Sequence, residues 1–177
     1  MAQEKDAKNR EILRIHGLRS EASGDILAQL ADWAGVYPPR EVAYTHPSVT
    51  FEPFYFFFYG SLQVPSILKR VCRLDEEPEL KPASIKGWKS MKWSCYPALV
   101  PKEDGVVKGM CWKCEKGVQV HRLALYESDA YRMAECKITT DDGEVIENGR
   151  IFVSTLDVDE LDEGEFDLEA FVNDRFW

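Results

Sequence analysis

The sequence lacks long apolar runs and dense positive charge. Among its 177 residues the longest apolar run, Phe54–Tyr59, is far shorter than the ~20 residues that span a bilayer. Its 31 acidic residues outnumber the 22 basic ones, giving a net charge of −9, so a surface that tracks phosphates is not expected. The first residues also lack the apolar stretch of a secretory signal. We therefore expect a soluble cytoplasmic protein that contacts neither membrane nor nucleic acid.

Histidine and cysteine are too scattered to indicate a metal or redox site. The three histidines, His16, His46 and His121, form no ligand cluster in sequence, and five cysteines are an odd set typical of reduced thiols. Cys111 and Cys114 have CxxC spacing, but no second ligand pair follows, and the pattern favours two structural strand thiols. Because no glycine-rich nucleotide fingerprint is present either, no metal or organic cofactor is expected.

The N-terminal region has the pattern of a helical extension. Apolar residues stand at helical spacing in Asp6–Leu18 and Ser23–Trp33, which predicts two amphipathic helices. Prolines between residues 37 and 48 indicate a linker. We therefore divide the chain into a helical extension and linker at residues 1–50 and a domain at residues 51–177. The extension could pack against the barrel, cover its mouth or remain mobile, and the apolar stripe of its second helix favours packing.

The domain has the pattern of an α+β fold. The aromatic run Phe54–Tyr59 predicts a strand covered on both faces, and after it Pro65 opens a short helix. Further strands are predicted in residues 83–100, 106–112, 135–140 and 146–154, and a helix in residues 166–172. Because the last two strands are joined by a hairpin-type turn at residues 141–143, the predicted sheet is mostly antiparallel.

Two places could carry chemistry. The turn Tyr59-Gly60-Ser61-Leu62 could present backbone N–H groups to a small anion such as a carboxylate, although a tight turn with no ligand explains the same residues equally well. Glu127 stands among apolar and aromatic neighbours, where burial would raise the pKa of its carboxyl and suit it to acid/base catalysis. A glutamate on a helix surface would fit the same neighbours.

Five colinear blocks resemble the gamma-glutamylcyclotransferase-like (AIG2-like) family. They are an aromatic strand followed by YG[ST]L and a Pro-containing helix, a YP-like strand, a VxG strand, an LDxxExxxYxR stretch and a C-terminal WxLExF segment. In this sequence they correspond to residues 57–71, Tyr96–Val100, Val106–Gly109, Leu123–Arg132 and Phe166–Phe171. Each block is loose, but their order is far more specific.

The resemblance implies a small, mostly antiparallel β-barrel with flanking helices and a cofactor-independent enzyme that releases 5-oxoproline from a γ-glutamyl amine or amino acid. It assigns substrate binding to Tyr59, Gly60, Ser61, Leu62 and the pocket wall to Tyr131, and it makes Glu127 the catalytic acid/base. Two positions depart from the family pattern. Its common aspartate is Ala124 here, and its frequent glycine after the glutamate is Ser128.

Two other functions fit the same scaffold. The domain could act as a hydrolase or isomerase on another small molecule, or it could bind a ligand or protein without catalysis, because fold does not determine function. A pocket lined by Trp88, Trp93 and Trp112 would favour a bulky aromatic substrate. The sequence does not define the leaving amine or the oligomeric state.

Overall fold

The computed structural model describes residues 1–175, which form two compact units. A helical unit contains Met1–Phe54 and Lys113–Asp129, and a barrel unit contains Tyr55–Trp112 with the described residues from Ala130 onward. In chain order the elements are α1 (Ala2–Ile15), β1 (Leu18–Arg19), α2 (Gly24–Gly35), α3 (Val42–Thr45), β2 (Thr50–Phe51), β3 (Phe54–Phe58), α4 (Pro65–Cys72), β4 (Lys81–Trp93), β5 (Tyr96–Cys114), α5 (Gly117–Glu127), β6 (Tyr131–Thr140), β7 (Val145–Ser154) and α6 (Leu168–Arg175).

The helical unit confirms both predicted N-terminal helices. Helices α1 and α2 bury Leu13, Leu27 and Leu30, and Gly35 ends α2 as helix C-termini favour. Ile26, one of the apolar residues at helical spacing in Ser23–Trp33, is 51% exposed, although the pattern predicts that it is buried. The proline-containing linker includes α3, which packs on α5. The N-terminal residues form one compact unit with residues 113–129.

The predicted barrel is confirmed. Its five strands close in the order β3-β5-β4-β6-β7. The pairs β4–β5, β4–β6 and β6–β7 are antiparallel, whereas β3 and β7 are parallel, with Phe56 opposite Arg150. As predicted, residues 141–143 form the turn between β6 and β7. The protein is thus α+β, with a closed and mostly antiparallel sheet.

The boundaries of β4 and β5 differ from the sequence prediction, because the predicted strand region 83–100 contains the turn at residues 94–95 that separates them. Residues 96–114 form one strand of 19 residues, whereas the sequence pattern divided them at Pro101 and the charged residues that follow it. The prolines are tolerated because Pro97 and Pro101 pair with Lys92 and Trp88 of β4, near the hairpin that joins β4 to β5. A register shift between Lys86 and Trp88 interrupts the same pairing.

Apolar side chains fill the barrel core. Phe57, Ile85, Ile138 and Ile151 are buried, and the last three come from three different strands. At Gly109, a Cβ atom would lie 2.2 Å from the carbonyl oxygen of Phe58, so only glycine allows β3 and β5 to approach so closely. The barrel therefore explains the glycine of the VxG block.

No helix among residues 1–175 is both long enough and apolar enough to cross a bilayer.

Candidate active site

The loop after β3 is built by local hydrogen bonds. Tyr59 donates its hydroxyl to the carbonyl oxygen of Phe152 in β7, which fixes the start of the loop. Residues Ser61–Gln63 form a 3-10 turn, and the carbonyl of Gly60 accepts hydrogen bonds from the backbone and the side chain of Gln63, each at 3.1 Å. The loop conformation is therefore held by its own residues and by a neighbouring strand.

The short helix predicted to open at Pro65 is confirmed, and a 3-10 turn lies between Gly60 and this helix. Helix α4 begins at Pro65, with Val64 as its N-terminal cap. The 3-10 turn intervenes because Pro65 is placed at the first helical position, where its missing N–H is tolerated. Any backbone N–H that the loop offers to a ligand thus belongs to the 3-10 turn rather than to the end of α4.

Pro97 joins two of the predicted site residues. A Cβ atom on Gly60 would lie 2.8 Å from Cγ of Pro97, too close for any other residue without movement of the proline ring. The hydroxyl of Tyr131 donates a hydrogen bond to the carbonyl oxygen of Pro97 at 2.6 Å. Gly60 and Tyr131 therefore both contact Pro97 of β5. The sequence pattern placed this proline in a strand and gave it no role in the site. The order Tyr-Pro in the YP-like block was the signal available for it.

The four loop residues differ in what they can offer a ligand. Leu62 is 2% exposed and packs in the interior, so only its backbone could contribute to binding. Tyr59, Gly60 and Ser61 are partly exposed. A small polar group could thus be bound by Ser61 and by backbone amides, with Tyr59 as a fixed neighbour.

Glu127 is the last residue of α5, in the helical unit. The next residue, Ser128, caps the helix with a positive φ of 65° and donates its backbone N–H to the carbonyl oxygen of Ala124 at 3.2 Å. This backbone region strongly favours glycine, which accounts for the frequent family glycine at this position. The chain therefore leaves the helix abruptly, directly after the carboxylate side chain.

Desolvation changes the acidity of Glu127. It raises the pKa of the carboxyl from 4.5 to about 8, although the residue keeps part of its surface exposed. Burial disfavours the charged form of a carboxylic acid, so the group is poised to exchange a proton near neutral pH.

Tyr37 contacts the same helix end. Its hydroxyl donates to the carbonyl oxygen of Ala124 at 3.2 Å. Desolvation raises the pKa of the Tyr37 phenol, and the nearby negative charges of Asp129 and Glu127 raise it further. Tyr37 lies in the stretch predicted to be a linker, where no sequence motif indicates a functional role for it.

The cysteines are structural in position. Cys111 and Cys114 both lie buried in β5, so the predicted strand location of the CxxC pair is confirmed. Burial raises the pKa of the Cys111 thiol to about 11, which disfavours the reactive thiolate. Within residues 1–175, no three His, Cys, Asp or Glu side chains are grouped so that they could hold a metal ion.

The tryptophans named above do not share one environment. Trp93 is 42% exposed, Trp112 is buried and Trp88 packs against the barrel core. The barrel unit does contain a cleft of about 510 Å³, whose walls include Lys92, Cys95, Phe166, Asp167, Phe171 and Asp174. None of the predicted site residues lines this cleft.

Comparison with solved structures defines the class of fold. Two solution structures of Arabidopsis thaliana proteins match with TM-scores of 0.55 and 0.54, at 25% and 21% identity. The matches cover 70% and 72% of this chain and 83% and 77% of those chains. The chain thus shares the fold of these two proteins.

Sequence comparison then identifies the family. The family model "Gamma-glutamyl cyclotransferase, AIG2-like" matches residues 56–168, well over half of the chain. The chain belongs to this family, as the five sequence blocks predicted. AIG2-like protein A of Arabidopsis thaliana is 30% identical over 88 residues, which cover 49% of this chain and 52% of that protein. The chain thus spans about half the length of this curated relative.

Proposed function

We propose that the protein is a gamma-glutamylcyclotransferase that releases 5-oxoproline from a γ-glutamyl amine or amino acid. In this proposal the loop Tyr59–Leu62 binds the γ-glutamyl group, Tyr131 forms the pocket wall and Glu127 transfers the protons. The observation that carries the proposal is the raised pKa of Glu127, about 8, within the region that matches the family. A carboxyl of ordinary acidity would be a weak base near neutral pH.

The proposed reaction is an intramolecular acyl transfer. The α-amine of the γ-glutamyl group attacks its own γ-carbonyl carbon, a carbon–nitrogen bond forms and the bond to the leaving nitrogen breaks. Glu127 accepts a proton from the α-ammonium and later donates it to the leaving nitrogen, so one group serves in both directions. No electrons are transferred and no water is consumed, so the proposed reaction needs no redox cofactor and no hydrolytic water. Because both reacting groups belong to one molecule, the protein mainly folds the substrate and moves the proton.

The local structure supports these roles. The Pro97 ring leaves no room for a side chain at residue 60, which explains the glycine of the loop. Tyr131, one of the predicted wall residues, is fixed by its hydrogen bond to Pro97. The buried free thiols support a reducing, cytoplasmic setting as part of the same proposal.

The test is release of 5-oxoproline from a panel of γ-glutamyl amines and γ-glutamyl dipeptides. We expect Glu127→Gln to lower the rate by about two to four orders of magnitude, the usual contribution of an acid/base group. A matched control is Glu115→Gln in the same unit, since the side chain of Glu115 is 65% exposed and pairs only peripherally with Lys113 at 3.5 Å. The control should retain wild-type turnover.

The pH dependence provides a second criterion. Because Glu127 acts first as a base, kcat/KM should rise with pH up to about 8, where its carboxyl becomes ionised. Full turnover by Glu127→Gln would exclude it as the acid/base. An absence of turnover across the whole panel, with a folded wild type, would instead favour another reaction on a small acid or amide, or a binding role.

A further inference from the structure

The N-terminal helices hold α5 at both ends. At the start of α5, a Cβ atom on Gly117 would lie 3.2 Å from the side chain of Tyr44, so α3 packs directly on that turn. At its end, Tyr37 donates to Ala124. The helix that carries Glu127 is therefore clamped by residues outside the region that matches the family model.

The segment that carries Tyr37 is itself anchored. The backbone N–H of Val36 donates to the carbonyl of Asp32 at 3.0 Å, and that of Arg40 donates to the carbonyl of Trp33 at 2.8 Å. These two bonds fix the chain on either side of Tyr37 against α2. These bonds restrain the backbone that carries Tyr37, and the hydrogen bond from its hydroxyl to Ala124 restrains the side chain.

The carbonyl of Ala124 receives two donors. One is the backbone N–H of Ser128, which closes the last turn of α5, and the other is the hydroxyl of Tyr37. Glu127 lies between Ala124 and Ser128 in sequence, in the last turn of α5. We propose that Tyr37 is a positioning residue for Glu127: its hydroxyl fixes the last turn of α5 and thereby the direction of the Glu127 carboxyl.

The surroundings are consistent with this role. The charges of Glu127 and Asp129 act on the Tyr37 phenol, so the ring lies within electrostatic reach of both carboxylates. Glu127 owes the raised pKa of its carboxyl to desolvation, and neighbouring side chains that exclude water maintain that state. Loosening the turn would admit water to the carboxyl.

The inference rests on the proposed function, and Tyr37→Phe tests it by a measurement that does not need turnover. In protein labelled with carboxyl ¹³C-glutamate, NMR titration of wild type should show Glu127 with a pKa of about 8. In Tyr37→Phe we expect that pKa to fall toward 4.5 by at least about one, because water gains access. Tyr55→Phe, which removes a hydroxyl from the barrel unit, is the matched control and should leave the titration unchanged.

Kinetics supply the second measurement. With a substrate found in the panel above, Tyr37→Phe should lower kcat about tenfold and change KM less than twofold, since it misplaces the acid/base without removing a substrate contact. The loss of one hydrogen bond should lower Tm by only about 2–4 °C, so the variant remains folded.

The outcomes separate the two hypotheses. A Tyr37→Phe titration identical to wild type, with kcat unchanged, would overturn the positioning role even if the enzyme is active. A lowered Glu127 pKa in Tyr37→Phe would support that role even if no γ-glutamyl compound is turned over, in which case only the proposed reaction fails. A fall in Tm without any change in the titration would show that Tyr37 merely stabilises the fold.

Discussion

Glu127 should destabilise the folded protein at neutral and alkaline pH. Its carboxyl has a pKa of about 8 in the folded state against 4.5 ordinarily. Between these two values the folded state binds a proton that the unfolded state has already released, so the free energy of unfolding falls as pH rises. The effect is absent below about pH 4.5 and complete above about pH 8. Replacing Glu127 by glutamine keeps the shape and removes this ionisation.

The magnitude follows from the same pKa change. Fully realised, a change from 4.5 to about 8 corresponds to about 5 kcal/mol at high pH. Because Glu127 keeps part of its surface in water, we take about half of this value, so Glu127→Gln should be about 2 kcal/mol more stable than wild type at pH 8. Near pH 4 the two proteins should be of similar stability.

Urea unfolding of both proteins at several pH values between 4 and 8.5 measures the difference. The informative quantity is the change of that difference with pH, which cancels every other titrating group that the two proteins share. Glu115→Gln, which removes a carboxyl from a side chain that is 65% exposed, provides the control. A Glu127→Gln difference that stays constant within about 0.5 kcal/mol across this range would show that the carboxyl is not desolvated, and the basis for its acid/base role would be lost.

Two further predictions concern single positions. Ser128 has φ 65° and ψ −178°, a backbone region that favours glycine. Ser128→Gly should therefore raise the free energy of unfolding by about 1 kcal/mol, measured by thermal unfolding. A lower Tm would contradict the observed backbone conformation. All five cysteines lie in the described part of the chain and Cys95 alone among them is exposed, so a thiol reagent should modify one thiol in the native protein and five after denaturation. Rapid modification of a second thiol in the native state would show that a buried cysteine is accessible.

Much of the fold could be predicted because its elements have strong local patterns. The aromatic run of β3 and the Asp-Asp-Gly turn between β6 and β7 each specify their structure within a few residues. The length of β5 could not be predicted, since two prolines and a charged run weaken the strand pattern and only pairing with β4 maintains it. Sequence order also identified the family, because five weak blocks in one order are more specific than any one of them.

The contacts around the candidate residues could not be predicted. Pro97 joins Gly60 to Tyr131 through a steric limit and a backbone carbonyl, and neither leaves a mark in a single sequence. Tyr37 reaches Ala124 across 87 positions, again through a backbone carbonyl. The division of the chain at residue 50 remains a prediction. The structure adds that residues 113–129 form one compact unit with the N-terminal residues.

The two departures from the family pattern can be judged from this geometry. At Ala124 both hydrogen bonds use the backbone carbonyl, which an aspartate or an alanine supplies equally. At Ser128 the backbone adopts a conformation that a glycine would adopt at lower cost, and the bond to Ala124 is still made. Both substitutions therefore preserve the turn that ends in Glu127, and they change the side chains around it instead. Under the proposed function, the turn positions the carboxyl while the side chains shape its surroundings, so these departures would bear on which substrate is bound more than on whether Glu127 can transfer a proton.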